Sequence, residues 1–258
     1  MDAADDRSRR IFFELHQDLP REAPGNRAST ERALGLVAER LPASTIRRVL
    51  DVGCGPGQQT LDLAALLPRA GIIAVDLHAS YLAEVRRRAA GAGLAARIAP
   101  VRADMGRLPI APASIDLAWC EGAAYIVGLQ AALAAWRPLL RGGGAVAFTD
   151  AVWLGGDRPE RAQAFWAEYP GMTDRAGVLA QLERAGFEPR SPFVLPSEAW
   201  WDDYYRPLAA RIDLLAWRYV DDPVAQRVLE AHREEIDLFR AHGDCYGYAF
   251  FVGHRAAR

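Results

Sequence analysis

The 258-residue chain contains no lysine, so all 31 of its basic residues are arginine. Against 33 acids they leave a formal net charge of −2. No basic footprint exists for gripping a nucleic-acid backbone, and no nucleic-acid partner is expected. Cysteine is scarce: Cys54, Cys120 and Cys245 are odd in number and lack the paired spacing of a metal site. This excludes a disulfide framework and fits a reducing, cytoplasmic setting. The five histidines, His16, His78, His232, His242 and His254, show no ligand spacing either, so no metal is predicted. No stretch approaches the roughly 18 apolar residues of a spanning helix, and no membrane partner is expected. The N-terminus is acidic and arginine-rich without an apolar core, so no signal peptide is predicted. Repeats and low-complexity segments are missing as well. What is present is a 51% apolar composition, enough for one large α/β domain with insertions. Abundant alanine and the arginine-only usage fit a high-GC bacterial genome.

Residues 49–57 read Val-Leu-Asp-Val-Gly-Cys-Gly-Pro-Gly. An apolar run ends in glycines at 53, 55 and 57, and an amphipathic stretch from Gln59 to Leu67 follows, the pattern of a buried strand, a tight turn and a helix. Glycines there remove Cβ atoms where a ligand touches backbone, and the helix start offers free N–H groups. The residue three beyond the second glycine is Gln58, which disfavours a dinucleotide fingerprint and hence a nicotinamide dehydrogenase. No Lys-Ser/Thr pair follows, which rules out a P-loop. Acid-x-Gly-x-Gly-x-Gly closely resembles motif I of class I S-adenosylmethionine (SAM) methyltransferases. A purely structural strand-to-helix turn is the alternative.

Strands are predicted at 47–53, 71–76, 97–101, 115–120 and 144–150, with helices at 58–67, 79–91 and 128–140. Alternation of this kind implies βαβ units and a parallel sheet. Before them, a short helix is read over Ser8–Gln17, a loop over Pro20–Gly25, and a second helix capped by Ser29. After them come an irregular segment over 152–171 with a helix near 159–168, a helix over Asp174–Ala185 with Gly186 beyond its end, and an extended stretch over Phe187–Leu195. Residues 198–241 read as helix broken near Pro223, and Tyr246–Val252 as a last strand. Chain 1–258 is thus read as a single domain: an N-terminal helical lid over 1–45, a cofactor core over 46–150, a cap over 151–245 and a last strand over 246–258. The Arg86-Arg87-Arg88 run reads as a solvated helix face.

Ligands of open α/β sheets bind beyond the carboxyl ends of the strands. Asp76, ending the second strand, suits the two hydroxyls of a ribose. Asp104, after the third, suits an adenine amino group, with Met105 packing on the ring. One acid at a strand end is an ordinary turn residue; three in register with motif I point to a ligand. In the family the loop backbone meets the methionine part of SAM, the second acid the ribose and the third the adenine, roles carried to Gly53, Gly55, Asp76 and Asp104. Asp51, Cys54, Gly57 and Leu77 complete this set. Gln59 and Thr60 open the helix, either to bind the SAM carboxylate or simply to cap.

Strand four ends in Glu121, followed by Gly-Ala-Ala-Tyr125, and relatives that methylate bases carry Asn/Asp-Pro-Pro-Tyr/Phe there. The departure argues against a base as acceptor. Glu121 is the first candidate for a general base or orienting group, with a cofactor-binding role as its alternative. Tyr125 is a second candidate for touching substrate and His16 a third. Trp153, Trp200, Trp201, Tyr204, Tyr246 and Tyr248 are read as lining a pocket for a small-molecule acceptor, ordinary core packing being the alternative for any one ring.

Further segments resemble the ubiquinone/menaquinone-biosynthesis-like (type 11) bacterial methyltransferases: Phe12-Phe13-Glu14, Pro20-Arg21 with Pro24-Gly25, Glu121-Gly-Ala with Tyr125, Trp201-x-Asp-x-Tyr205 and Tyr246-Gly-Tyr-x-Phe-Phe251. The resemblance implies a Rossmann-like class I methyltransferase sheet, α/β and mostly parallel with an antiparallel last strand, N-terminal helices and a helical cap inserted before that strand. It also implies SAM as methyl donor with S-adenosylhomocysteine as product, and an N-terminal loop closing over the cofactor, which adds Arg21 and Gly25 to the cofactor set. The expected reaction is methyl transfer to a small molecule at O or N, with C as a further option. A protein or peptide methyltransferase, or a non-catalytic SAM-binding protein, are the rivals. A homo-oligomer is compatible with all of them.

Overall fold

The computed structural model describes residues 3–256. Its strands are β1 (Arg48–Val52), β2 (Gly71–Asp76), β3 (Ile98–Arg102), β4 (Ile115–Cys120), β5 (Leu140–Trp153), β6 (Thr173–Asp174), β7 (Phe187–Pro189), β8 (Phe193–Val194) and β9 (Tyr246–Arg255). Its helices are α1 (Ala3–Leu15), α2 (Arg27–Ala38), α3 (Gln58–Leu66), α4 (Ala79–Gly91), α5 (Leu129–Trp136), α6 (Glu160–Trp166), α7 (Arg175–Arg184), α8 (Glu198–Trp200), α9 (Arg206–Arg218) and α10 (Pro223–His242).

Among the described residues the strands form one sheet in the order β3-β2-β1-β4-β5-β9-β7, with β6 on β5 and β8 on β9. β1 to β5 are parallel, and β9 runs antiparallel to β5. Every residue of β4 is buried, as a parallel strand covered on both faces requires. Alternation along β1 sends Val49 to one apolar cluster and Leu50 and Val52 to the other, on opposite faces of the sheet. The strand order reverses between β1 and β4, which opens a crevice at their carboxyl ends.

Several boundaries differ from the sequence reading. α1 starts at Ala3, five residues early, and carries Asp5 and Asp6 in its first turn, where acids suit the helix dipole. α2 is capped by Asn26, whose side chain accepts from Ser29 N at 2.8 Å, so Ser29 lies inside the helix and not at its cap. β5 extends on both sides of the expected 144–150: β9 pairs with it out to Trp153, and Leu140 pairs with Ile115 of β4 ahead of a register shift. The 198–241 stretch breaks where expected, at Asp222, whose side chain caps α10. Between α8 and α9, Trp201–Tyr205 forms a π-helical turn. That wider turn leaves Tyr204 and Tyr205 both buried beside Trp200, a grouping that regular 3.6-residue periodicity does not predict. Arg88 is not on a solvated face: it donates to the carbonyls of Leu19 and Pro20 and to Glu84, tying α4 to the loop after α1.

Candidate active site

Two cavities share a wall at the carboxyl ends of the strands. The first, of about 370 Å³, is lined by the glycine loop and the ends of β2, β3 and β4. Gly53 and Gly55 adopt φ of +68° and +50°, and a Cβ on Gly53 would lie 2.5 Å from that of Ala123. Asp76 is aligned by two backbone donors, Gly55 N at 3.0 Å and His78 N at 2.8 Å. Asp104 accepts from Gly106 N at 2.8 Å, and Met105 is held through its carbonyl by Trp136 Nε1 at 3.0 Å. Gln59 braces the loop by donating to Cys54 O at 2.9 Å. Cys54, Leu77, Gln59, Asp104 and Met105 line this cleft with Asp76. Phe13, His78 and Tyr81 also line it and were missed: Phe13 arrives on α1 only through the tertiary fold, while His78 and Tyr81 stand at the start of α4, just after Asp76.

Asp51, Gly57, Thr60 and Gly25, all read as cofactor residues, lie outside the walls of this cleft. Asp51 is fully buried behind the loop and accepts from the Thr60 hydroxyl, and burial pushes its carboxyl up to about 7. Gly57 caps α3 at φ +90°, and a Cβ there would meet Val85 at 2.7 Å. Gly25 makes room for an ion pair, since its Cβ would fall 2.7 Å from Glu121 Oε2.

That pair organises the N-terminal loop. Arg21, 3% exposed, donates to Glu121 Oε2 at 2.7 Å and to Asp62 Oδ2 at 2.9 Å. Glu121 Oε1 accepts from Trp119 Nε1 at 2.8 Å and from the Thr30 hydroxyl at 3.1 Å. Both carboxylate oxygens are therefore engaged by protein donors. The loop seats tightly: Gly122 sits at φ +68° with room for no Cβ against Ala23, and Gly25 N donates to Ala199 O at 2.9 Å.

The second cavity, of about 320 Å³, lies under α1, α6 and α10 and shares Phe12, Glu22, Ala23, Gly122 and Tyr125 with the first. Of the expected aromatic lining, Trp200, Tyr204, Tyr246 and Tyr248 form its wall. Trp153 and Trp201 do not. Trp153 packs edge-on to Tyr246 under Arg158, and Trp201 packs beside Phe239 under Arg240. Trp166 and Tyr169 do line it.

Three carboxylates, Glu22, Glu168 and Glu235, and two imidazoles, mostly unforeseen, complete this wall. His16 Nδ1 lies 2.5 Å from Glu22 Oε2, and His16 Nε2 lies 3.2 Å from His232 Nε2. His232 Nδ1 is 2.7 Å from Val228 O, a carbonyl that only accepts, so Nδ1 carries the hydrogen. Burial lowers the pKa of His232 and favours its neutral form, whose Nε2 then accepts. His16 must donate to it from Nε2, so a single proton is shared between His16 Nδ1 and Glu22. Glu235 accepts from the Tyr205 hydroxyl at 3.1 Å, and burial raises its pKa. A signal for this wall was present on α10: His232 and Glu235 interrupt the face that Val228, Leu229 and Phe239 otherwise make apolar.

Beside the cavity, Asp150 accepts from the Tyr169 hydroxyl and from Ala151 N, both at 3.0 Å, and burial pushes its carboxyl up to about 7. An acid with a raised folded-state pKa holds its proton in the fold after the unfolded chain has lost it. Its contribution to stability therefore falls as pH rises from about 4 to 7, at up to about 1.4 kcal/mol per pH unit. The stability of the protein relative to Asp150→Asn is expected to drop between pH 5 and 8 in urea titrations. A pH-independent difference would contradict it.

A family model described as a methyltransferase domain matches residues 49–144. A trans-aconitate 2-methyltransferase of Paracidovorax citrulli (strain AAC00-1) is 30% identical over 242 residues, covering 84% of this chain and 90% of that enzyme. A malonyl-[acyl-carrier protein] O-methyltransferase of Enterobacter lignolyticus (strain SCF1) is 36% identical over 159 residues, 60% of this chain, and the match spans 54% of that enzyme's length. The fold is shared with a SAM-dependent methyltransferase of Geobacter sulfurreducens solved with S-adenosylhomocysteine, at TM-score 0.79 and 20% identity over 95% of this chain and 97% of that one. The chain belongs to the class I SAM-dependent methyltransferases. Within that class it is similar to enzymes named for O-methylation and for trans-aconitate methylation. The residues in hand fit the family's cofactor: a Cβ-free cradle at Gly53 and Gly55, an aligned carboxylate at Asp76, and a ring-packing site at Asp104 and Met105 under Phe13 and Tyr81.

Proposed function

We propose that this chain transfers a methyl group from SAM to a small-molecule acceptor at oxygen or nitrogen, with the donor in the first cavity and the acceptor in the second. The wall shared by the two cavities carries this reading: Glu22, Ala23, Gly122 and Tyr125 line both, so the two cavities are immediate neighbours. When bound, SAM supplies an electrophilic methyl on a positively charged sulfur. Asp76 accepts from the ribose hydroxyls, the glycine loop backbone takes the methionine part, and Asp104 with Met105 holds the adenine. The N-terminal segment from α1 through α2 would close over the donor, and residues 151–245 would cap the acceptor. Aromatic walls exclude water and hold the acceptor in line, which supplies most of the acceleration such a displacement needs.

Glu121 in this reading holds Arg21 and the loop in place and is not the base, since three protein donors already occupy its oxygens. Glu121→Gln is expected to weaken S-adenosylhomocysteine binding and lower the melting temperature together. Lost turnover with unchanged binding and melting would return Glu121 to the role of base. The function itself is tested with methyl-labelled SAM and a protein-free extract of small metabolites. Label entering a small molecule supports it, while label entering only protein added back to the extract would favour a protein methyltransferase.

A further inference from the structure

The relatives named for carboxylic acceptors raise the question of which charge this acceptor cavity is built to receive. Among the described residues no arginine lines it, and the chain has no lysine. The nearest buried guanidinium, Arg21, is already shared between Glu121 and Asp62. A di- or tricarboxylate would thus enter an acid-lined wall without a free cation, which costs desolvation without recompense.

The wall is suited to the opposite charge. Glu22, Glu168 and Glu235 contribute carboxylates, and the shared His16–Glu22 proton makes that pair neutral as a unit, leaving Glu235 without a compensating charge. Trp166, Trp200, Tyr204 and Tyr246 supply the ring faces that attract an organic cation. Three residues of this lining carry buried polar atoms that make no hydrogen bond: the hydroxyl of Tyr246, a residue 1% exposed, Trp166 Nε1 and Glu22 Oε1. Buried polar atoms left open around one cavity mark where a ligand completes the bonding. Glu22 Oε1 and the Tyr246 oxygen accept from N–H groups, and Trp166 Nε1 donates to an oxygen.

We propose that the acceptor is an amine that enters as its cation and carries a hydrogen-bonding oxygen, held between Glu235 and the aromatic wall. The proposal rests on the assignment of the two cavities to donor and acceptor. The ammonium first gives up one N–H proton, which frees the nitrogen lone pair that attacks the methyl. The N–CH3 bond forms as the S–CH3 bond breaks and its electron pair returns to sulfur. The proton passes to Glu235, the carboxylate that holds the amine and has no cation of its own, and methylated ammonium and S-adenosylhomocysteine remain.

The test uses three probes against the full chain saturated with S-adenosylhomocysteine, read by calorimetry: choline, its uncharged isostere 3,3-dimethylbutanol, and trans-aconitate. Choline is expected to bind at least about tenfold more tightly than the isostere, as a desolvated cation–π and carboxylate site predicts, and trans-aconitate not to bind. In Glu235→Gln the preference for choline should shrink at least about fivefold, with S-adenosylhomocysteine affinity retained as the sign of an intact fold. Equal affinity for choline and its isostere, no choline binding, or binding of trans-aconitate would overturn the proposal. Failure of S-adenosylhomocysteine itself to bind would instead overturn the assignment of the donor cavity.

Discussion

Asp76→Ala is expected to lower S-adenosylhomocysteine affinity by at least about 100-fold. A carboxylate that accepts two ribose hydroxyls makes two charge-assisted hydrogen bonds, each contributing about 1.5–3 kcal/mol. The same substitution removes the acceptor of Gly55 N and His78 N, so the glycine loop loses its alignment as well. Asp76→Asn keeps an acceptor for one of those donors and should fall between the two. Calorimetry measures the affinity, and the melting temperature reports whether the fold persists. An affinity within about threefold of the unsubstituted chain would mean that the donor does not meet Asp76.

Arg21→Ala is expected to be the most destabilising single change in the site, by about 3–5 kcal/mol. Removing one member of a buried ion pair strands the others, and here Glu121 loses its cation while Asp62 is left with the half-exposed Arg27 at 3.6 Å. Even with Arg21 present, burial already raises the pKa of Asp62. For a chain of this size the loss corresponds to a melting temperature lower by about 6–20 °C. The deficit should shrink as pH falls. In the variant the stranded carboxylates have folded-state pKa values above their unfolded ones, so protonation relieves them. Thermal denaturation at neutral and mildly acid pH checks both points. A deficit that grows on acidification would show that Arg21 acts through something other than these two charges.

The proposed donor cleft was largely legible in the chain because its determinants are local. A strand end, a glycine turn and a helix start occupy residues 49–60, and each further acid follows its own strand. Parallel register then brings Asp51, Asp76 and Asp104 to one edge, which alternation alone predicts. Which of those residues face the ligand was less legible. Asp51 and Thr60 bond each other behind the loop, and Gly25 and Gly57 clear space for neighbours, because local pattern does not say which side of a turn a side chain takes.

The proposed acceptor cavity was decided by tertiary structure. His16 and His232 are 216 positions apart and meet only because α1 packs on α10. Glu121 looks like a free base in its strand-end motif, yet Arg21, 100 positions earlier, arrives to neutralise it. Trp153 and Trp201 share the composition of the aromatic wall without its position, since a π-helical turn and an extended β5 set which rings face inward. The sequence by itself determined the sheet and the methyl donor, through short-range periodicity and backbone conformation. The charge and shape of the acceptor cavity came from long-range packing, where burial and distant partners decide what each side chain can do.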